Sequence, residues 1–227
     1  MRELALKILH RHRNNPIQIE ALLFGQAGCL DGSFKELYPH QLQSEYRYLQ
    51  KKYHLPDVLQ SHEWKFSRMR PAAFPTIRMS QLAAVIVQED KLFDALVKQE
   101  DTKKIATVFD IEPSAYWKEH YHFKKASAVK VAGLGRSTMH ILLINTIAPF
   151  KYLYGLKTGD QRMIDSAIAV LETLPPEKNN IVQGWERLGR KAENASESQA
   201  MIHLKKEFCN ARRCLHCHVG YHVLKNE

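Results

Sequence analysis

Three cysteines close to the end of the chain, Cys209, Cys214 and Cys217, are the side chains best suited to chemistry. Their spacing is C-x4-C-x2-C. Thiolates are soft donors, and a tight turn across C-x2-C presents two sulfurs to one ion. Tetrahedral zinc needs a fourth donor. His222 stands at C-x4-H beyond Cys217, so Cys214, Cys217 and His222 repeat the first three ligand spacings of a zinc knuckle. The last cysteine of a knuckle would fall at Glu227, and Cys209 can replace it from the other side, completing a Cys3His set. His203, His216, His218 and Cys29 are weaker fourth donors. An iron–sulfur cluster is the lesser metal alternative: the trio has the plant-type ferredoxin spacing, with Cys29 as the one remaining cysteine. A metal-free alternative packs the thiols as small hydrophobes, with Cys209 covering the apolar face of the preceding helix. Zinc here would be structural, pinning the tail. A catalytic zinc needs an open position and a nearby base, and no His-Glu motif flanks the cluster.

Arginines supply the second kind of chemistry. Arg212 and Arg213 lie between the first two cysteines, where a fixed loop would let two guanidinium groups grip phosphate. Arg68, Arg70 and Arg78 are spread along Arg68-Met-Arg70-Pro-Ala-Ala-Phe-Pro75-Thr-Ile-Arg78. The prolines stiffen that stretch, giving either a fixed array that binds an anion or a rigid connector whose arginines meet internal carboxylates or helix C-termini. The 33 Lys+Arg against 24 Asp+Glu leave a net charge of +9 and a pI near 9.3, one footprint of nucleic-acid binders. Tyr46, Tyr53, Phe66 and Tyr221 stand near basic residues and could stack on bases. Gly133-Leu-Gly135-Arg-Ser-Thr138 is not a phosphate loop, because Arg136 replaces the required lysine and the leading glycine is missing. No general acid–base pair and no carboxylate pair at metal-binding spacing stands out, so catalysis is left open.

The elements that must hold these residues read as helices. With 44% apolar and 25% charged residues the composition is that of a globular chain and excludes a disordered tail. Leu4, Ile8 and Leu9 stripe a first helix ended by Pro16, and a second runs from Ile17 to Gly25. Leu42, Tyr46 and Leu49 mark a third over Gln41 to Tyr53. Residues 56–76 read as irregular, followed by helices at Ser80 to Val87, Lys91 to Lys98 and Ser114 to His120. Ser137 suits the N-cap of an apolar helix from Met139 to Tyr154, with a kink or break at Pro149. Three more helices follow at Asp160 to Leu174, Asn180 to Leu188 and Ser196 to Phe208, the last capped by Ser196. Strand alternation is nearly absent. The expected fold is mainly α: a single irregular multi-helix domain over residues 1–227 with a C-terminal Cys-rich appendage at 209–222.

Four segments carry a resemblance. Glu20-Ala-Leu-Leu-Phe-Gly-Gln-Ala-Gly28, Arg70-Pro-Ala-Ala-Phe-Pro-Thr-Ile-Arg78-Met-Ser-Gln-Leu-Ala83, Ile144-Asn-Thr-Ile-Ala-Pro-Phe150 and Cys209-x4-Cys214-Leu-His-Cys217-His-Val-Gly220 are similar to landmarks of a bacterial family known as a domain of unknown function. The likeness runs from about residue 17 to 224. It implies that the chain corresponds to the C-terminal half of longer members with a further N-terminal domain. It implies no activity, substrate or cofactor, and supplies no fourth metal ligand.

The longest aliphatic run, Ile141-Leu142-Leu143-Ile144, is far short of the roughly 20 residues a spanning helix needs, and the N-terminus lacks a signal-peptide core. Few and clustered cysteines do not form a disulfide framework, so a reducing cytoplasm is expected. The leading expectation is a non-catalytic helical module that contacts nucleic acid or another anionic partner and is stiffened by a metal. A metal-free scaffold that binds a protein partner, or the accessory half of a nuclease-like enzyme completed by a missing N-terminal domain, are the alternatives.

Overall fold

Helix α2, Pro16–Gln26, lies at the centre of the first half of the molecule. Pro16 starts it with φ already suited to a helix, and the Asn15 side chain accepts the Gln18 N–H at 3.2 Å. From Ile19 onward every residue of α2 is buried, with Ile19 and Phe24 fully so. A helix buried on all sides must have neighbours on all sides. Here these include α3, Leu37–Tyr53, and α4, Pro75–Gln88. Gly25 is needed because a Cβ there would sit 2.2 Å from the Tyr46 ring.

The computed structural model describes residues 3–56, 59–123, 125–127 and 133–225. The mainly α expectation holds. Contacts group the chain into two compact units: Met1–Leu96 with Lys103–Gly135, and Val97–Thr102 with Arg136–Glu227.

The first unit begins with α1, Glu3–His12. Ile8 and Leu9 of its expected stripe are buried, and the Leu4 side chain lies outside the described residues. Helix α3 buries Leu42, Tyr46 and Leu49 as the periodicity requires, but starts four residues earlier than expected. It ends at His54, whose φ of 49° stops the helix in the left-handed region. Helix α4 also starts early. Pro75 does not close the irregular stretch but occupies the first turn of the helix. After α5, Thr102–Thr107, and α6, Ala115–Glu119, strands β1, His120–His122, and β2, Lys125–Ala126, form an antiparallel ladder. This pairing was not expected, since so few residues cannot display an alternation. Trp117 of α6 is fully buried and stacks on Phe24 with centroids 4.8 Å apart.

In the second unit, α7, Arg136–Leu142, a π-helical turn, Leu143–Ile147, and α8, Ala148–Thr158, follow without interruption. Ser137 therefore lies inside the first turn and is not the cap. The expected disturbance at Pro149 is resolved by the π turn: proline has no N–H to donate, and just before it the Ala148 N–H reaches Leu143 O. Helix α9, Gln161–Thr173, is capped by Asp160 and packs closely on α8 at Gly155, where a Cβ would lie 2.8 Å from Ile164. Helices α10, Asn180–Arg187, and α11, Ala195–His203, are capped by Asn179 and Asn194. Asn194, not Ser196, caps α11 by accepting the Glu197 N–H at 3.0 Å. A π turn, Leu204–Cys209, a 3-10 turn, Cys214–His216, and α12, His218–Lys225, complete the chain.

Lys151 of α8 is fully buried, and its Nζ donates to Val97 O at 2.9 Å and Gln99 O at 2.5 Å. Burial lowers its pKa, opposed by nearby Glu100. Among the described residues no helix is long and apolar enough to cross a membrane.

Candidate functional site

The tail turns tightly after Cys209. The Arg212 N–H donates to Cys209 O at 3.1 Å and the Arg213 N–H to Phe208 O at 2.9 Å. The Cys217 N–H then closes the 3-10 turn on Cys214 O at 3.2 Å. Gly220 lets α12 fold against that turn, because a Cβ there would lie 2.6 Å from Cys214 O. Cys217 is buried, whereas Cys209 and Cys214 are exposed. Cys209 thus does not cover the apolar face of α11, as the metal-free alternative supposed. His222 lies on exposed α12. No three Cys, His, Asp or Glu side chains among the described residues are gathered to hold a metal. Cys209, Cys214, Cys217 and His222 share one segment of the chain without being gathered around one point. Cys29, the remaining thiol, belongs to the first unit, and burial, aided by Asp31, pushes its pKa up to about 12. That opposes the thiolate a metal needs.

The arginines divide. Arg68, Arg70, Arg212 and Arg213 are exposed, and among the described residues none pairs with a carboxylate. Arg68 and Arg212 have φ of 61° and 53°, a region L residues enter at a cost. Arg78 departs from the expected array. Because Pro75 begins α4, Arg78 falls within the helix, half-buried, with its Nη1 donating to Gln81 Oε1 at 2.9 Å. Its pKa is lowered by burial.

Two residues before Arg68, Phe66 lines a cavity of about 330 Å3 in the first unit. Phe34, Trp64 and Phe123 also line it, with Thr76, Cys29 and Asp31 as polar neighbours. One wall is the segment 59–66, strapped to the turn after α2. The Leu59 N–H donates to Gln26 O at 3.3 Å, and the Trp64 indole N–H to Ala27 O at 2.7 Å. Gly28, at φ 64°, lets this wall approach so closely that a Cβ would lie 2.1 Å from Leu59 O. The opposite side is built from the core: Phe34 meets Phe123 at 5.4 Å, and Thr76 donates from its hydroxyl to Tyr121 O at 2.5 Å. Phe66 is held edge-on by Phe74 at 5.2 Å and by His122 at 5.5 Å. The Asp31 carboxylate has no hydrogen-bond or ion-pair partner among the described residues.

A family model described as Protein of unknown function (DUF2851) matches residues 1–180. The chain belongs to that family. No curated protein and no solved structure matches it. The DUF2851 match takes in the aromatic cavity, Arg68 and Arg70, and three of the four landmarks named from the sequence. It ends before Cys209.

The DUF2851 segment also contains a carboxylate that sequence reasoning passed over. Glu20 sits on α2 with 3% exposure and accepts hydrogen bonds from the Tyr38 hydroxyl and, at 3.0 Å, the Trp117 indole N–H. Tyr38 also contacts Ser114 Oγ at 3.2 Å. Burial raises the Glu20 pKa, and the hydrogen bonds from Tyr38, Ser114 and Trp117 oppose the rise. Glu20 and Ser114 border a second cavity of about 460 Å3, with Asp110 and Glu112. The signal was available: a single acid inside the apolar run from Ile17 to Phe24 is either buried with partners or misplaced. For the aromatic cavity the signal was weaker. Phe66 stands among basic residues, but nothing in the spacing joins it to Phe34 or Asp31.

Proposed function

We propose that this DUF2851 chain is a non-catalytic module that contacts nucleic acid through exposed arginines on two turns. One observation carries the reading: each exposed arginine pair contains one member in the left-handed region, Arg68 in one and Arg212 in the other. A bulky residue held there costs roughly 1–3 kcal/mol, and such strain gathers where a binding geometry must be kept. The turn around Arg212 is fixed by the backbone hydrogen bonds at Cys209 and Phe208. Guanidinium groups on such turns are positioned to grip phosphate in the bidentate manner. The net charge of +9 adds long-range attraction.

The test is the affinity of the full chain for a short single strand, measured by fluorescence anisotropy across a range of salt. Each phosphate contact releases counterions, so affinity should fall steeply as salt rises. Arg68→Ala with Arg70→Ala, and separately Arg212→Ala with Arg213→Ala, should each flatten that dependence. Absence of binding at low salt defeats the reading and favours the protein-binding scaffold.

A structural zinc on Cys209, Cys214, Cys217 and His222 is a separate proposal. Its supports are the ligand spacing and the 3-10 turn that joins Cys214 to Cys217. It requires the tail to rearrange on loading. Metal analysis of protein prepared anaerobically with zinc should give about one ion per chain, and a chain that stays metal-free excludes it.

A further inference from the structure

We propose that the aromatic cavity of the first unit takes one unpaired guanine base, read by Asp31. The inference rests on the nucleic-acid reading above and names the ligand for one of its two contact regions. A pocket lined by Phe34, Trp64, Phe66 and Phe123 offers ring faces and edges, and every base has a π-face to stack on them. Its volume of about 330 Å3 is at the lower end of small-ligand sites, suited to one ring system and not to a folded cofactor. The pocket is also preorganised. The strap from Leu59 to Trp64, the close approach at Gly28 and the Thr76 hydroxyl fix its walls, so little order remains to be gained on binding.

Asp31 decides which base. It lines the cavity, and among the described residues its carboxylate has no partner. An ionised carboxylate accepts only, and is best matched by two parallel N–H donors. Guanine presents such a pair on one edge, N1–H beside its 2-amino group. Adenine and cytosine offer an amino group beside a ring acceptor, and thymine offers one N–H between two carbonyls. Acceptors facing a carboxylate repel it. Arg68 and Arg70 follow Phe66 by two and four residues and are exposed, which puts cations on the segment that leads out of the pocket to meet the adjoining phosphates.

The experiment uses the full chain and an oligo-dT strand carrying one central substitution: dG, deoxyinosine, dA or an abasic site. Anisotropy titration at low salt should rank dG tightest and the abasic strand weakest, with a gap of about five- to a hundredfold, the range of one base–aromatic stack. Deoxyinosine, which lacks the 2-amino group, should fall between dG and dA. Asp31→Ala should make dG and dA equal without changing the salt dependence. Phe66→Ala should bring the dG strand close to the abasic one. Circular dichroism checks that each variant folds, and if Phe66→Ala does not, the exposed Asp31 variant carries the test alone. Equal, salt-dependent binding of all four strands overturns the guanine pocket and leaves the phosphate contacts standing. A dG preference that survives both substitutions places the base elsewhere and also overturns it. Failure of every strand to bind removes both readings.

Discussion

The two arginine turns share a strained backbone and differ in what stands behind them. Arg68 follows a wall laced to the core by hydrogen bonds at Gln26 and Ala27, beside a cavity lined by a carboxylate that has no partner among the described residues. Arg212 stands on a turn made by backbone hydrogen bonds alone, followed by a helix that buries none of its residues. The first arrangement can distinguish one ligand from another, because its shape is set before the ligand arrives. On the reading proposed above, the second would hold phosphate without a preformed cavity to receive a base. Phosphate contacts position a nucleic acid and base contacts specify it, and the proposal divides the two turns along that line.

The largest expected difference is in thiol chemistry. Cys29 borders the rigid cavity with its pKa pushed up to about 12, whereas Cys209 and Cys214 are exposed. At pH 8 iodoacetamide should modify Cys29 roughly a thousandfold more slowly than a free thiol of ordinary acidity. Peptide mapping of a time course would show it. Equal rates at Cys29 and Cys214 would mean that the first region opens as readily as the second.

The salt dependence of strand binding comes next. Each phosphate contact on a single strand contributes about 0.7 to the slope of log affinity against log salt. The Arg68/Arg70 and Arg212/Arg213 double variants should both flatten it, by up to about 1.4 if both arginines of a pair touch phosphate. Neither pair should change the ranking of the substituted strands, which the proposal assigns to Asp31 and Phe66.

Glycine substitutions sharpen the contrast in stability. Gly28→Ala forces a side chain into a left-handed conformation and against Leu59 O, and should cost about 1–3 kcal/mol in urea unfolding. Gly220→Ala meets Cys214 O, but its helix buries none of its residues, so the global stability should change by less than about 0.5 kcal/mol. A reversal of the two would show the tail to be the more integrated region.

The smallest effect is set by pH. Glu20 has a raised pKa in the folded chain, so the folded state holds its proton to higher pH than the unfolded state does. Its contribution to stability is therefore full below the unfolded carboxyl value, near 4.5, and is lost as pH rises through the folded value. Glu20→Gln should remove that decline while leaving the curve below pH 4 nearly unchanged. An identical pH profile for the variant would show that Glu20 is not the group responsible.

Much of the helical frame could be read from residue patterns. The stripe Leu42, Tyr46 and Leu49, the break at Pro16 and the amphipathic run from Asp160 identify their helices because the signals are local. Pro75 misled because a proline that ends an irregular stretch and one that starts a helix look alike until the next turn is packed. That one choice also moved Arg78 from an exposed array into a half-buried helix position. The short β1–β2 ladder depends on pairing rather than pattern. For the cysteines, spacing announced a metal set that the arranged side chains do not gather. The cavity could not be read at all as a unit, since Asp31 with Phe34, Trp64 with Phe66, Thr76, and Phe123 come from four separate stretches of the chain. Contacts of that kind belong to tertiary packing.

Lys151 sets a limit on how this molecule can be dissected. Its ammonium group is buried in the second unit, yet both carbonyls it donates to, those of Val97 and Gln99, come from a short excursion made before the chain returns to the first unit. A fragment started at Arg136 would strand that cation without acceptors, at a penalty of roughly several kcal/mol. Anyone expressing the C-terminal portion by itself should begin no later than Val97, and a protease that nicks only near Gly135 should leave two pieces that remain associated.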